Sequence, residues 1–561
     1  MQTSPKARID ALTQAGYWGE ETLHDILAAQ AAAVPERTAL VDQPSKPELT
    51  GLPARRVTFA ELDRLSDHLA AQLLVLGLKH DDRILVQLPN ISELVVTYYA
   101  ASKLGVVISP LPIQYGGHEL AGFARSLQPA AVITLRQFRD RDLAARAQAA
   151  LPALPVWRFG AELELDLDRP ASPDNLTALR AHRAQHPASA NDILTVVWTS
   201  GTTGTPKGVP RSHNMWRAMA RNTMAAGNYQ PGETLLVPFP LVNMAALGGF
   251  LFPAIIHACP LVLHQPMDPP LFLRQIQAER VNFTIAPPAL LNRLAQQPAL
   301  WQQCDFSAIR AFGSGSVPLS PAMIQVIEGE YGKPIINFYG SNEGISLFST
   351  PDVAATPEYR ASLFPRFGAP NMPWQGHSHE SITTRVIDPE SGAEITRAGI
   401  PGELCIGGPA VFDGYLDHDG EGVFTADRLF RTGDLVEIAG EPPNYYRIVG
   451  RCKDIINRGG MKISPAELDT LLEGFPGLAE AAVCGYPDAD LEEKICACVV
   501  SLEDTTPPTL AALCAWLQEK GIAKFKLPER LEVFQALPRN PVGKVVRSEL
   551  QAQVKKRGTL T

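Results

Sequence analysis

The segment Trp198-Thr199-Ser200-Gly201-Thr202-Thr203-Gly204-Thr205-Pro206-Lys207-Gly208 sets glycines, hydroxyl side chains and one lysine directly after the apolar run Ile193-Leu194-Thr195-Val196-Val197. That run is expected to be a buried strand, which puts the loop at a strand end. Glycines let a backbone turn and approach a ligand closely, N–H groups and hydroxyls donate, and the lysine adds positive charge. These are the parts of a polyphosphate cradle, and they point to ATP. The spacing is not that of the Walker loop: only Thr202 and Thr203 separate Gly201 from Gly204, and Lys207 is followed by Gly208 instead of a hydroxyl residue.

Further segments follow in fixed order. They are Asn337-Phe338-Tyr339-Gly340-Ser341-Asn342-Glu343-Gly344, Phe430-Arg431-Thr432-Gly433-Asp434-Leu435, Gly450-Arg451-Cys452-Lys453-Asp454 running on to Arg458-Gly459-Gly460, and Leu537-Pro538-Arg539-Asn540-Pro541-Val542-Gly543-Lys544. With the first loop this series resembles the acyl-adenylate-forming (AMP-binding) superfamily. That superfamily contains acyl- and aryl-CoA ligases, adenylation enzymes that load carrier proteins, and beetle luciferases. The resemblance spans nearly the whole chain.

The chemistry it implies is the attack of a carboxylate oxygen on the α-phosphate of ATP while pyrophosphate leaves, which requires negative charge to be neutralised and held. By resemblance, Thr199, Ser200, Gly201, Thr202, Thr203, Gly204 and Lys207 hold the β- and γ-phosphates, Glu343 binds Mg2+, and Lys544 bridges the attacking carboxylate and the α-phosphate. Mg2+ commonly takes only one or two protein carboxylates, so a single glutamate suits it. Asp434 has the right chemistry to accept both ribose hydroxyls, and Arg451 to donate to the same ribose. Asn337 is matched to the adenine amino group, Tyr339 to stacking on the base, and Gly315 and Ser316 to the backbone bordering it, with Gly340 in the same motif. Two positions depart from the common pattern. Asn342 stands where a threonine usually contacts the α-phosphate, and its amide can still donate; Ser316 replaces a glycine and narrows the site near the acyl pocket.

Lys453 matches the hinge about which the family's C-terminal domain swings. In the thioester-forming arrangement Arg458, Gly459 and Gly460 would then line a tunnel for the pantetheine arm of coenzyme A, since backbone without side chains lets a thin thiol arm pass. The acid pocket is expected in Pro238 to Gly249, with Phe239, Asn243, Met244 and Gly248 among its lining. No Asp or Glu lies in that segment to pair with an α-ammonium, so amino acids are disfavoured and an acid with an apolar or aromatic body is expected. Ala15-Gly16-Tyr17-Trp18 and Gly521 to Pro528 look like the branch that activates 2-hydroxylated benzoic acids, of the 2,3-dihydroxybenzoate-AMP ligase type. In that branch an asparagine reads the ortho substituent. Asn243 matches either that asparagine or the family's gating histidine, and the branch's usual His-Asn pair is absent.

These chemistries need elements to position them. A chain of 561 residues exceeds one core and implies at least two domains. From Thr22 to about 190, strand-like runs (Arg83 to Leu88, Val106 to Ile108) alternate with helical periodicity (Phe59 to Leu78), the mark of an α/β fold with largely parallel sheets. The polar stretch from Phe159 to Ala190, punctuated by prolines, reads as an irregular connection. Residues Ala245 to Leu263 read as a buried helix followed by a strand, and Gly402 to Glu437 as a β-rich lobe. A small α+β domain then follows, with helices at Pro465 to Gly474 and Thr509 to Lys520 and strands at Glu480 to Cys484 and Ile495 to Val500. The expected division is 1–452 for the large AMP- and acid-binding domain and 453–561 for a mobile C-terminal domain carrying Lys544.

A net charge of −9 disfavours nucleic acid and anionic membranes as main partners. The eight cysteines form no C-x-x-C pair, and Cys496 and Cys498 are expected side by side on one face of a strand as buried thiols, in keeping with a reducing cytoplasm. Neither a secretory signal nor a membrane span is visible. The reading is therefore an ATP-dependent acid:CoA ligase for an aromatic, alicyclic or medium-chain acid. A stand-alone adenylating enzyme that loads a separate carrier protein shares its first step. A regulatory nucleotide-binding protein with a dead site is disfavoured by the joint presence of Thr202, Glu343, Asp434 and Lys544.

Overall fold

The structure, a computed structural model, describes residues 1–166, 171–199, 207–315, 319–416, 422–459, 461–488, 490–503, 505–540 and 543–558. The chain divides into two compact units, one made of Met1–Thr384 and Ile406–Phe430, the other of Arg385–Cys405 and Arg431–Thr561.

The first unit holds two mostly parallel sheets. In one, the order is Lys207–Ser212, Ile193–Thr199, Val107–Pro110, Arg83–Gln87, Ala131–Leu135, Val156–Phe159; every neighbouring pair is parallel except the first. The other has eight strands, ordered Ser346–Ser349, Ile335–Gly340, Ala311–Gly315, Phe283–Ile285, Leu235–Val237, Leu261–Leu263, Thr38–Val41, Arg56–Thr58, with antiparallel strands only at its two edges. Strands such as Ile84, Leu85 and Val86 are buried on both faces, as parallel strands covered by helices must be. The helix Phe59–Val75 starts where the Thr58 side chain accepts the Glu61 N–H while Glu61 accepts the Thr58 N–H, a reciprocal cap.

Two segments differ from the sequence reading. Pro173–Gln185 is a helix, where an irregular connection was expected. The expected single helix before Leu261–Leu263 is broken into Met244–Ala246, a π-turn at Leu247–Leu251, and Phe252–Ile256.

In the second unit, Phe430–Ala439 pairs antiparallel with Tyr445–Arg451. Leu478–Asp488 and Glu492–Ser501 form a long antiparallel ladder, extended by Ile456–Arg458 and Arg530–Val533 and covered by the helices Pro465–Leu472 and Leu510–Glu519. Cys484, Cys496 and Cys498 are fully buried in this unit, with Cys496 and Cys498 on one face of their strand as expected. No helix among the described residues is long and apolar enough to cross a membrane.

Candidate active site

In the first unit Ile193–Thr199 and Lys207–Ser212 form a hairpin whose closing pair is Thr199 and Lys207. The two residues that flank the glycine-rich segment, Thr199 and Lys207, are thus paired at the edge of the six-stranded sheet. Ser200, Gly201, Thr202, Thr203 and Gly204 lie outside the described residues, as do Ser316 and Gly460.

Glu343 projects from a tight turn. The Ser341 N–H donates to Ile345 O and the Gly344 N–H to Ser341 O. Gly344 has φ +109°, and a Cβ there would strike the Ala410 carbonyl oxygen, so the turn requires glycine. Glu343 is 7% exposed. Tyr415 Oη donates to its Oε1 at 2.8 Å, and the Lys207 ammonium sits 4.9 Å from the centre of the same tyrosine ring. The loop lysine, an aromatic ring and the carboxylate therefore form one contact chain.

Beneath this turn lies Arg211, a fully buried guanidinium. It donates to Asn342 O at 2.9 Å and Ala410 O at 2.8 Å, and lies over the Trp216 ring at 4.5 Å. Burial pulls its pKa down to about 9, opposed by the Glu343 carboxylate and reinforced by Arg8.

Asn342 bridges two elements: its Nδ2 donates to Trp198 O and its Oδ1 accepts the Met244 N–H, both at 2.9 Å. At least one amide hydrogen expected to serve the α-phosphate is thus given to the hairpin strand. Asn337, 3% exposed, donates both amide hydrogens, to Arg360 O and Ala361 O, which fixes the amide with Oδ1 as its acceptor for a ligand N–H. Tyr339 packs 5.7 Å from the Phe364 ring. Gly315 has φ +153° and lies against the Phe338 carbonyl, leaving no room for a Cβ; Gly340 is similarly tight against Ile345 O.

The expected acid-pocket segment is held from behind by Asn90, whose Nδ2 donates to Phe239 O at 2.7 Å and whose Oδ1 accepts the Leu241 N–H at 2.8 Å. Asn243 accepts the Ala246 N–H at 3.2 Å as the cap of its short helix, which commits its oxygen and leaves its amide as a donor. Met244 is buried, and a Cβ at Gly248 would meet Met219 and Met244 Sδ, so the two methionines close on the glycine of the π-turn.

In the second unit Asp434 and Arg451 are cross-strand partners, with Arg451 Nε 2.7 Å from Asp434 Oδ1. Glu403 anchors the turn before them, accepting from Arg431 and from the Gly433 N–H at 3.0 Å. Lys544 follows a turn in which Asn540 Oδ1 accepts the Lys544 N–H at 2.9 Å. The residue is exposed, yet burial of its charge and then the Arg451 guanidinium hold its pKa below the ordinary lysine value, against the Asp434 carboxylate. Asp434, Arg451 and Lys544 therefore share one electrostatic neighbourhood. Lys453 lies in a single 3-10 turn, Cys452–Asp454, between Tyr445–Arg451 and Ile456–Arg458. Arg458 is engaged with Glu529 at 2.6 Å, and Gly459 turns its hairpin with φ +54°.

The family model for AMP-binding enzymes matches residues 27–416, and the model for the AMP-binding enzyme C-terminal domain matches residues 467–544. The chain belongs to the AMP-binding enzyme family. This AMP-binding enzyme is 30% identical over 561 residues to pyochelin synthase PchD of Pseudomonas aeruginosa, covering 98% of this chain and 96% of the relative. It is 29% identical over 554 residues to the 2-hydroxy-7-methoxy-5-methyl-1-naphthoate–CoA ligase of Streptomyces carzinostaticus, covering 96% and 94%. Among solved structures, ATP-bound MatB from Rhodopseudomonas palustris is similar with a TM-score of 0.76 at 26% identity, covering 95% of this chain and 99% of that one.

ATP with Mg2+ is used by this family, and the residues present fit it. Among the described residues no group of three or more His, Cys, Asp or Glu could enclose a metal by itself. One carboxylate beside a lysine and a donor-rich loop instead suits Mg2+ that arrives with phosphate oxygens of its own. Tyr415, Arg211 and Asn90 are site-supporting residues that the sequence reading of the AMP-binding enzyme missed. Asn90 carries no local signal because its partners are distant in sequence, and the bonds of Arg211 to Asn342 and Ala410 give none for the same reason.

Proposed function

We propose that the protein is an ATP-dependent, AMP-forming acid:CoA ligase acting on an aromatic, alicyclic or medium-chain carboxylic acid. The acid's carboxylate oxygen forms a bond to the α-phosphorus as the bond to pyrophosphate breaks. The thiolate sulfur of coenzyme A then attacks the acyl carbon of the mixed anhydride, and AMP leaves. The observation that carries this reading is the chain from Lys207, at the closing pair of the hairpin, through Tyr415 to Glu343.

In this reading Thr199 to Lys207, including Ser200, Gly201, Thr202, Thr203 and Gly204, bind the β- and γ-phosphates. Glu343 holds Mg2+, which when bound neutralises phosphate charge. Asn337, Tyr339, Gly340, Gly315 and Ser316 border the adenine. Asp434 and Arg451 take the ribose, each already orienting the other. Lys544 sits between carboxylate and α-phosphate, and the neighbouring Arg451 and Asp434 support that role. Lys453 is the hinge of a mobile domain 453–561, within which the C-terminal family match falls; Arg458, Gly459 and Gly460 line the thiol tunnel. The pocket of Phe239, Asn243, Met244 and Gly248 offers one amide donor among apolar groups, which suits an apolar or aromatic acid. The eight free cysteines suit work in a reducing cytoplasm.

The likeness to pyochelin synthase PchD, whose name is that of a synthase and not of a CoA ligase, favours a second reading, in which the adenylate passes to the phosphopantetheine thiol of a separate carrier protein. One experiment separates the two. The protein is incubated with ATP, Mg2+ and a panel of aryl, alicyclic and fatty acids, with and without CoA, and the products are read by mass spectrometry. Acyl-CoA from one acid class supports the first reading; acyl-AMP that accumulates in the presence of CoA supports the second. In the same assay Lys544→Ala is expected to abolish adenylate formation and to spare thioester formation from supplied acyl adenylate. Equal loss of both half-reactions contradicts the role given to Lys544.

A further inference from the structure

Glu343 has two carboxylate oxygens, and only one is engaged. Oε1 accepts from Tyr415 Oη at 2.8 Å, while among the described residues Oε2 has no hydrogen-bond partner. Tyr415 is itself fixed on several sides. Its ring meets Phe412 edge-on at 4.8 Å and lies under the Lys207 ammonium at 4.9 Å. The following residue is tied to the hairpin, with the Leu416 N–H donating to Gly208 O at 2.8 Å. Phe412 N–H donates to the backbone carbonyl of Glu343 itself at 2.9 Å. The segment 412–416 therefore grips Glu343 through both its backbone and its side chain, and the hydroxyl cannot leave Oε1 without disturbing that packing.

We propose that Tyr415 sets the metal preference of the site: by holding Glu343 Oε1 with a hydrogen bond it leaves Oε2 as the oxygen that meets a divalent cation more readily. The inference rests on the reading of Glu343 as the metal-binding carboxylate. One-oxygen ligation suits Mg2+, which demands a compact octahedron at about 2.1 Å and keeps its other positions for water and phosphate. Ca2+ is larger, takes more ligands and accepts both oxygens of one carboxylate. A free Glu343 would serve either ion; a Glu343 with one oxygen occupied disfavours Ca2+. Tyr415 is thus a positioning residue, acting through Glu343 without touching nucleotide or acid.

The test reads binding without turnover. ATP is titrated by calorimetry into the full-length protein with Mg2+ alone or Ca2+ alone, for the unmodified chain, Tyr415→Phe and Glu343→Gln. The phenylalanine keeps the ring packed against Phe412 and under Lys207, and metal-free thermal unfolding checks that the fold is kept. The shift in melting temperature caused by ATP with each metal gives a second measure of the same preference. The unmodified protein is expected to prefer Mg2+, and Tyr415→Phe to narrow the Mg2+ over Ca2+ ratio by about fivefold, the factor one ordinary hydrogen bond commands. An unchanged ratio in Tyr415→Phe, with Glu343→Gln losing the preference, overturns the role of Tyr415 alone. If Glu343→Gln keeps the full preference, the underlying assignment of the metal to Glu343 fails instead.

Discussion

Asn342 occupies a position where the family pattern leads one to expect a threonine, and its amide does something a threonine hydroxyl cannot. It spans from the Trp198 carbonyl on the strand Ile193–Thr199 to the Met244 N–H within the segment expected to line the acid pocket. A threonine has one oxygen on a shorter arm and cannot reach both. Asn342 thereby connects the strand Ile193–Thr199 with the segment proposed to line the acid pocket. Asn342→Ala leaves an N–H and a carbonyl without partners, each worth about 1–3 kcal/mol if it stays buried. The expected outcome is a KM for the acid raised by about tenfold, with the KM for ATP changing less. Steady-state kinetics with each substrate varied in turn checks this, and a larger effect on ATP than on acid would show that the amide serves the phosphate after all. Glu343 and Lys207 were singled out in the sequence because each stands in a short motif of its own, whose residues are close in the chain. Tyr415 was not, although it stands in the readable string Phe412-Asp413-Gly414-Tyr415-Leu416, because its partners Lys207 and Glu343 come from other parts of the chain.

At the level of elements, the strand Ile193–Thr199 was readable from its apolar run, whereas its antiparallel partner Lys207–Ser212 was not read as a strand. The parallel sheets were readable from the alternation of strand and helix patterns. The helix Pro173–Gln185 was not, for a physical reason. Among its residues only Leu179 is buried, so no apolar stripe marks it, and Pro173 resembles a loop signal. Proline is nonetheless well suited to the first turn of a helix, and Ser172 caps this one by accepting the Asn175 N–H. The same limit hid how Lys46–Thr50 is fastened to Ser92–Leu104. Lys46 is fully buried, with its ammonium 2.7 Å from both Asp42 and Glu93 and 3.1 Å from Ser92 Oγ. Burial, the largest influence on Glu93, raises its pKa, against the pull of Lys46. Lys46→Met keeps the volume but leaves two buried carboxylates facing each other without a cation. A loss of about 3–5 kcal/mol is expected, the usual result of removing one member of a buried ion pair. Urea unfolding at neutral pH measures it, and a change no larger than that of a surface substitution would mean that the triad is compensated elsewhere.

On the scale of the whole molecule, the first unit buries imidazoles as well as ion pairs. His24 and His213 lie edge to face at 6.3 Å. His213 Nδ1 accepts the Leu23 N–H at 3.2 Å, a bond that requires this nitrogen to be unprotonated, and His24 Nδ1 is 2.7 Å from Ser102 Oγ. Burial is the first cause that lowers both from the ordinary 6.5, His24 to about 4 and His213 to about 3. The sign of the consequence is fixed by linkage. Below pH 6.5 the unfolded chain takes up protons that the folded chain refuses, so stability is complete above that pH and is lost progressively as pH falls toward 4 and then 3. The melting temperature is therefore expected to fall steadily across that range, by an amount equivalent to at most about 8 kcal/mol for the two histidines together (roughly 1.4 per pH unit per histidine). Carboxylates titrate in the lower part of the same window, so the discriminating measurement compares the native chain with His213→Gln, whose amide oxygen can still accept the Leu23 N–H but cannot be protonated. The variant should melt close to the native chain at pH above 7 and lose less on acidification, with the two curves separating just below 6.5, before the carboxylates begin to titrate. Parallel curves throughout would mean that His213 takes up its proton in the folded state as readily as in the unfolded chain, and would overturn this account.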